Sequence, residues 1–145
     1  DIYWDNGFSL VGSAAYAEGE QTTDGRRTQL GSVDPFKLVA GLNYAAPSGV
    51  WGGSATVTWS GKKDQATYNL TCGTTCYLGD SFTLLDLTAY WNVTERATLR
   101  AGAFNVFDET YGWWSDVRGL SAASTVKDAY SQPGRNFGVS LTLRL

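Results

Sequence analysis

Cys72 and Cys76 enclose Gly73-Thr74-Thr75. Three intervening residues do not match the two-residue spacing of zinc and thioredoxin-like motifs, and the chain has no His to complete a ligand set. The pair can be a disulfide, two free thiols or part of a metal site. A second cluster is Tyr111, Trp113, Trp114 and Tyr130, all within one long polar stretch. Aromatic faces there suit a ligand or a protein partner, and they suit packing of the stretch on itself. Lys37, Asp86, Arg100 and Arg144 are isolated charges inside otherwise alternating segments. No nucleophile–base pair, phosphate-cradling loop or pair of acids placed for proton transfer stands out. Asp108 and Glu109 are merely adjacent. The expectation is a protein that is not an enzyme and that holds no metal.

Six segments of period two carry these residues. They are "FSLVGSAAY" from Phe8, "FKLVAGLNY" from Phe36, "WGGSATVTW" from Trp51, "TLLDLTAYWNV" from Thr83, "ATLRAGAF" from Ala97 and "FGVSLTLRL" from Phe137. In each, one face is apolar and the other polar or small. In the last, Phe137, Val139, Leu141, Leu143 and Leu145 alternate with Gly138, Ser140, Thr142 and Arg144. No stretch has a convincing helical period. The alternation puts Lys37, Asp86, Arg100 and Arg144 on the polar faces.

The connections alternate in length. "AAPSGV" and "TER" are short, whereas the stretches around Asp24, Cys72 and Trp113 are long and polar. Several strands also begin and end their apolar face on aromatics: Phe8 with Tyr16, Phe36 with Tyr44, and Trp51 with Trp59. Eight steps at about 3.3 Å make roughly 26 Å. A tilted strand of that length fits the apolar band of a membrane barrel, flanked by aromatic girdles. Phe8, Tyr16, Phe36, Tyr44, Trp51, Trp59 and Trp91 are the expected girdle. Charged residues make up 17% of the chain and aromatics 14%, and the net charge of −3 argues against nucleic acid as a partner. No apolar run approaches the roughly 18 residues of a membrane helix.

The last third resembles the C-terminal end of TonB-dependent outer-membrane receptors. The resemblance rests on Asn105-Val106-Phe107-Asp108-Glu109-Thr110-Tyr111, on Pro133-Gly134-Arg135, and on a final alternating strand with an apolar tip at Leu145. That tip is usually aromatic in the family. "SVDPFKLVAGLNY", "CGTTCY", "WSDVRGL" and "DAYSQPGRNF" resemble the branch that takes haem and haemoglobin-type ligands.

The resemblance implies an all-β, antiparallel up-and-down meander of six strands. Residues 1–145 would be the C-terminal segment of a transmembrane barrel of roughly 22 strands, with plug and energy-coupling box outside them. It implies a Gram-negative outer-membrane transporter energised through TonB, taking up haem or another iron chelate, or a haemoprotein. This segment would supply barrel wall, in contact with the lipid bilayer and the plug, and three extracellular loops. No cofactor is expected in the segment itself, where haem is cargo. In an oxidising compartment the disulfide becomes the favoured state of Cys72 and Cys76. Tyr111, Trp113, Trp114 and Tyr130 become candidate contacts to a porphyrin or protein, and Lys37, Asp86, Arg100 and Arg144 face the lumen. A segment of a passive porin or adhesin is the alternative. A soluble carbohydrate-binding β-sandwich is a third reading, and it requires Trp51 and Trp59 beside a groove rather than in two belts.

Overall fold

The computed structural model describes residues 1–64, 72 and 75–144. Leu145, the apolar tip of the last strand, lies outside the described residues. The alternating segments form β2 (Phe8–Ala15), β5 (Lys37–Ala45), β6 (Trp51–Ser60), β7 (Phe82–Thr94), β8 (Ala97–Phe104) and β9 (Asn136–Leu143). They pair antiparallel in chain order as one sheet. A two-residue strand β1 (Ile2–Tyr3) adds a seventh member against β2. The expectation of six strands therefore holds for the long ones, and the outer edge of β2 is covered at one end.

The register fixes what shares a face. One row reads Leu10, Leu42, Ala55, Leu87, Ala103, Phe137 across six strands. The neighbouring row on the other face reads Ser9, Asn43, Ser54, Thr88, Gly102, Gly138. Because side chains alternate strictly, one apolar face and one polar face result without exchange between strands. The Ser54 and Thr88 hydroxyls meet at 2.7 Å on the polar face. On the apolar face Leu10, Leu42 and Leu87 remain 38%, 45% and 39% exposed, so this face lacks any protein layer over it among the described residues.

Two rings lie flat on the polar face because glycine leaves room. A Cβ on Gly52 would stand 2.6 Å from a Tyr90 ring carbon, and one on Gly102 would stand 2.7 Å from the Phe104 ring. A side chain at either position would force its ring to move.

The short turns lie at one end of the sheet and the long connections at the other. The long ones are partly structured, contrary to the reading of plain polar stretches. The first holds a separate hairpin, β3 (Glu20–Thr23) with β4 (Arg26–Gln29). Its turn is Asp24-Gly25, with φ of 51° and 76°, as a tight two-residue hairpin requires. The third holds a one-turn helix α1 (Trp114–Val117) and a 3-10 turn (Lys127–Tyr130). Five of the six buried apolar residues among those described collect at this end, Cys76, Phe82, Leu84, Trp114 and Val117, while Ala46 lies at the short turn. Phe82 and Leu84 project from the polar face, pairing in register with Ser60 and Thr58, so that face turns apolar beneath the long connections.

Candidate functional site

The base of the third connection is closed by Asn105. Its φ of 49° is left-handed and it is 3% exposed. Its side-chain amide donates to the carbonyls of Glu109 (2.8 Å) and Pro133 (3.3 Å), and its Oδ1 accepts from the Glu109 amide (2.9 Å). Its backbone amide donates to Asp86 Oδ1 at 2.8 Å. Asp108 accepts the Arg135 amide at 2.8 Å and forms an ion pair with that side chain at 3.6 Å. The two motifs quoted from the sequence are thus halves of one clasp: Asn105 and Asp108 on one side, Pro133 and Arg135 on the other.

Above the clasp, Lys37, Ser60 and Phe82 form one row of the polar face. Tyr111 and Trp113 fold over it, with ring centroids 4.6 and 5.3 Å from Phe82. Lys37 Nζ sits 4.4 Å from the Trp113 ring centroid and 3.8 Å from Asp34. Burial, followed by the negative charge of Asp86, raises the Tyr111 hydroxyl above its ordinary pKa. Trp114 is buried, and its indole Nε1 donates to the Gly31 carbonyl of the first connection at 2.7 Å. Lys63 lies 5.9 Å from the Trp114 ring, and burial lowers its pKa against the opposing pull of Asp34.

The second connection joins the third by backbone. Tyr77 N donates to Leu120 O at 2.8 Å and Ala122 N to Thr75 O at 2.7 Å, around a bridge between Cys76 and Ser121. Cys72 and Cys76 are joined as a disulfide immediately beside this bridge, with Cα atoms 5.1 Å apart. Tyr77 donates to Asp80 at 2.8 Å, and Lys127 lies 5.1 Å from its ring. Burial first, then the Asp80 hydrogen bond, raises the Tyr77 pKa to about 12. The three long connections are therefore bonded into one cap.

Of the four aromatics singled out by sequence, Trp114 is internal, Tyr111 and Trp113 are half-buried against Phe82, and Tyr130 is 42% exposed. The four isolated charges are not gathered. Lys37 lies under Trp113 and Asp86 under the Asn105 amide, while Arg100 donates to Thr142 Oγ1 at 3.3 Å. Arg144 reaches the opposite, short-turn end, where its amide donates to Arg96 O at 2.8 Å. Gly31, Lys63, Tyr77 and Asn105 were not singled out by type and spacing. Asn105 and Tyr77 carry a signal through the quoted motifs that contain them, "NVFDETY" and "CGTTCY". Among the described residues no group of three or more Cys, Asp or Glu side chains converges as a metal site.

The aromatic residues at strand ends fall into two rows. Phe8, Tyr44 and Trp51 follow one another at 4.7 and 4.9 Å, and Trp91 pairs with Trp51 in register. Tyr16, Phe36 and Trp59 follow at 6.4 and 6.0 Å towards the long-connection end. Trp51 and Trp59 thus stand in separate belts, not beside a groove.

A one-sided antiparallel sheet with an uncovered apolar face between two aromatic rows is a wall of a membrane barrel. The family comparison agrees. Residues 1–106 match the family "TonB dependent receptor-like, beta-barrel", and the chain belongs to that family. Members are Gram-negative outer-membrane proteins. The chain is 27% identical to hemoglobin-haptoglobin utilization protein B of Neisseria meningitidis serogroup C, over 89% of this chain and 18% of that protein. It is 28% identical to lactoferrin-binding protein A of Neisseria meningitidis serogroup B, over 82% and 14%. The copper transporter OprC superposes with a TM-score of 0.78 at 23% identity, over 97% of this chain and 22% of that one. The chain thus spans less than a quarter of the length of each of these proteins.

Proposed function

We propose that this chain forms wall and outer rim of a TonB-dependent receptor that imports an iron-bearing ligand, namely haem or a haemoprotein. The observation that carries the reading is the gathering of all three long connections into one bonded cap, at one end of a wall with a lipid-type face. The cap is the outer, ligand-receiving end. The short turns lie at the periplasm, and the polar face lines the lumen and meets the plug. The apolar face and its two aromatic rows meet lipid. The chain takes part in transport rather than catalysis, and haem passes as cargo.

The choice of haem rests on the sequence resemblance and on the haemoglobin-haptoglobin relative. A strain carrying the full-length receptor should grow with haem or haemoglobin as sole iron source. Growth should be lost on deleting its gene, on deleting TonB, or on collapsing the proton gradient. Unchanged growth after gene deletion on haem and haemoprotein, with loss on another iron source, would replace the ligand. Loss that is independent of TonB would overturn the transporter reading.

A further inference from the structure

The polar face sinks across β7, β8 and β9. Gly102 and Gly138 are neighbours in register there, and neither has a side chain to fill the space. The Phe104 ring lies over Gly102, and a Cβ on Gly138 would stand 3.8 Å from the same ring. Two residues nearer the short turns, Tyr90, Arg100 and Ser140 stand side by side. These residues bound a recess of about 460 Å³ in mid-strand. Small-molecule sites run from about 300 to 1,000 Å³. None of its lining residues belongs to the clasp or to the cap.

The charge of the recess is one-sided. Arg100 is the only charged residue lining it. Its side chain donates to Thr142 Oγ1 at 3.3 Å, a long bond that engages one of a guanidinium's five N–H donors. No carboxylate among the described residues forms an ion pair with it. Acids elsewhere do not cancel it. Asp86, the one acid of the six long strands, accepts the Asn105 amide. Glu95 lies in the short turn beside Arg96, and Arg144 at that end adds positive charge.

We propose that this recess is a transit site for a planar aromatic carboxylate, which on the uptake reading above is the porphyrin of haem. The proposal rests on that reading for the cargo and for the polar face lining the lumen, and it adds where the cargo pauses below the cap. Tyr90 and Phe104 offer aromatic surface to a flat apolar body. Arg100 takes a carboxylate through a charge-assisted bond. The glycine floor lets the macrocycle approach the backbone closely. A bare metal ion finds no acid and no sulfur donor in the lining.

The test uses the full-length receptor in outer-membrane vesicles, with single cysteines as reporters and a small maleimide as label. Cys72 and Cys76 are bonded to each other, and any free cysteine elsewhere is replaced by serine. Ser140→Cys reports the recess. Ser13→Cys, exposed on the polar face of β2, reports the same face away from it. Heat-modifiable gel migration checks the barrel in each variant. Haem should slow labelling of Ser140→Cys and leave that of Ser13→Cys unchanged. Adding Arg100→Gln should raise the haem concentration needed for half-protection about tenfold or more, and Arg100→Lys should restore most of the protection. Haem dimethyl ester keeps the ring and lacks the carboxylates. It should protect the form with Arg100 as weakly as haem protects the Arg100→Gln variant. Labelling unaffected by haem, in a receptor that still supports growth on haem, overturns the transit site and leaves the uptake reading standing. Absence of labelling with and without haem overturns it too, because the receptor's own plug then fills the recess. So does protection that is indifferent to Arg100 and to the ester. Failure of the unaltered receptor to support growth on haem strikes the uptake reading itself, and the transit site with it.

Discussion

Asn105 satisfies three backbone groups from one side chain while holding a left-handed backbone. Alanine there would leave buried groups unpaired, at about 1–3 kcal/mol, and would add about 1–2 kcal/mol of backbone strain. Glycine would incur only the first cost. Denaturant unfolding of the full-length receptor should rank the native protein above Asn105→Gly, and Asn105→Gly above Asn105→Ala. Equal loss in the two variants would remove the backbone argument. Tyr77 makes a pH prediction. Its hydroxyl ordinarily titrates at 10.0 and here at about 12. A raised acid stabilises the folded form below the ordinary value, and that contribution fades as pH rises from about 10 to about 12. Docking of Tyr77 against Leu120 and Asp80 should therefore loosen across that window. Proteolysis of the cap between pH 10 and 12 should rise more steeply in the native receptor than in Tyr77→Phe, which has nothing to titrate.

At the scale of strands, the two faces should respond oppositely to charge. Leu42→Arg or Leu87→Arg, in mid-strand on the apolar face, should cost about 2–4 kcal/mol in lipid. Thr56→Arg, on the other face and opposite Asp86 in register, should cost far less. Folding into lipid of the full-length receptor, followed by gel migration, measures both. These strands were legible because period two persists through each of them. The hairpin was not. With Thr, Gln, Glu and Arg on both faces it has no alternation, and Asp24-Gly25 was its one written signal. Helix α1 is a single turn, too short for any period. The docking of Trp114 on Gly31 and of Tyr77 on Leu120 joins residues far apart in the chain, which local pattern cannot express. Hence Trp114 reads in the sequence as a candidate ligand contact, and the structure places it inside, bonded to a neighbouring loop.

As a whole, the molecule is an open sheet. On β9, Phe137, Val139, Leu141 and Leu143 are 60–75% exposed and the strand's outer edge has no partner among the described residues. At the opposite edge β1 covers β2 only at Leu10 and Ser9. Unpaired backbone in lipid costs several kcal/mol per group, and in water a bare edge invites aggregation. The 145-residue chain by itself should neither insert as a stable monomer nor carry ligand into liposomes. Heat-resistant monomers with ligand uptake would instead mean a small self-closed barrel.

On the function proposed above, in which the polar face lines the passage, the rings of Tyr90 and Phe104, lying over Gly52 and Gly102, set its bore on this side. Large residues that lie down leave the wall low, so clearance depends on two hydrogen atoms where side chains would otherwise be. Gly102→Ala would lift the Phe104 ring, because the new methyl would meet flexible ring carbons rather than backbone. Gly52→Ala would also strike the Tyr44 carbonyl at 2.5 Å and disturb the ladder itself. The first change is thus a clean constriction that alters no charge. In the full-length receptor it should slow a bulky cargo more than a compact one, while surface binding of either stays the same. The ratio of the two import rates is the quantity to compare.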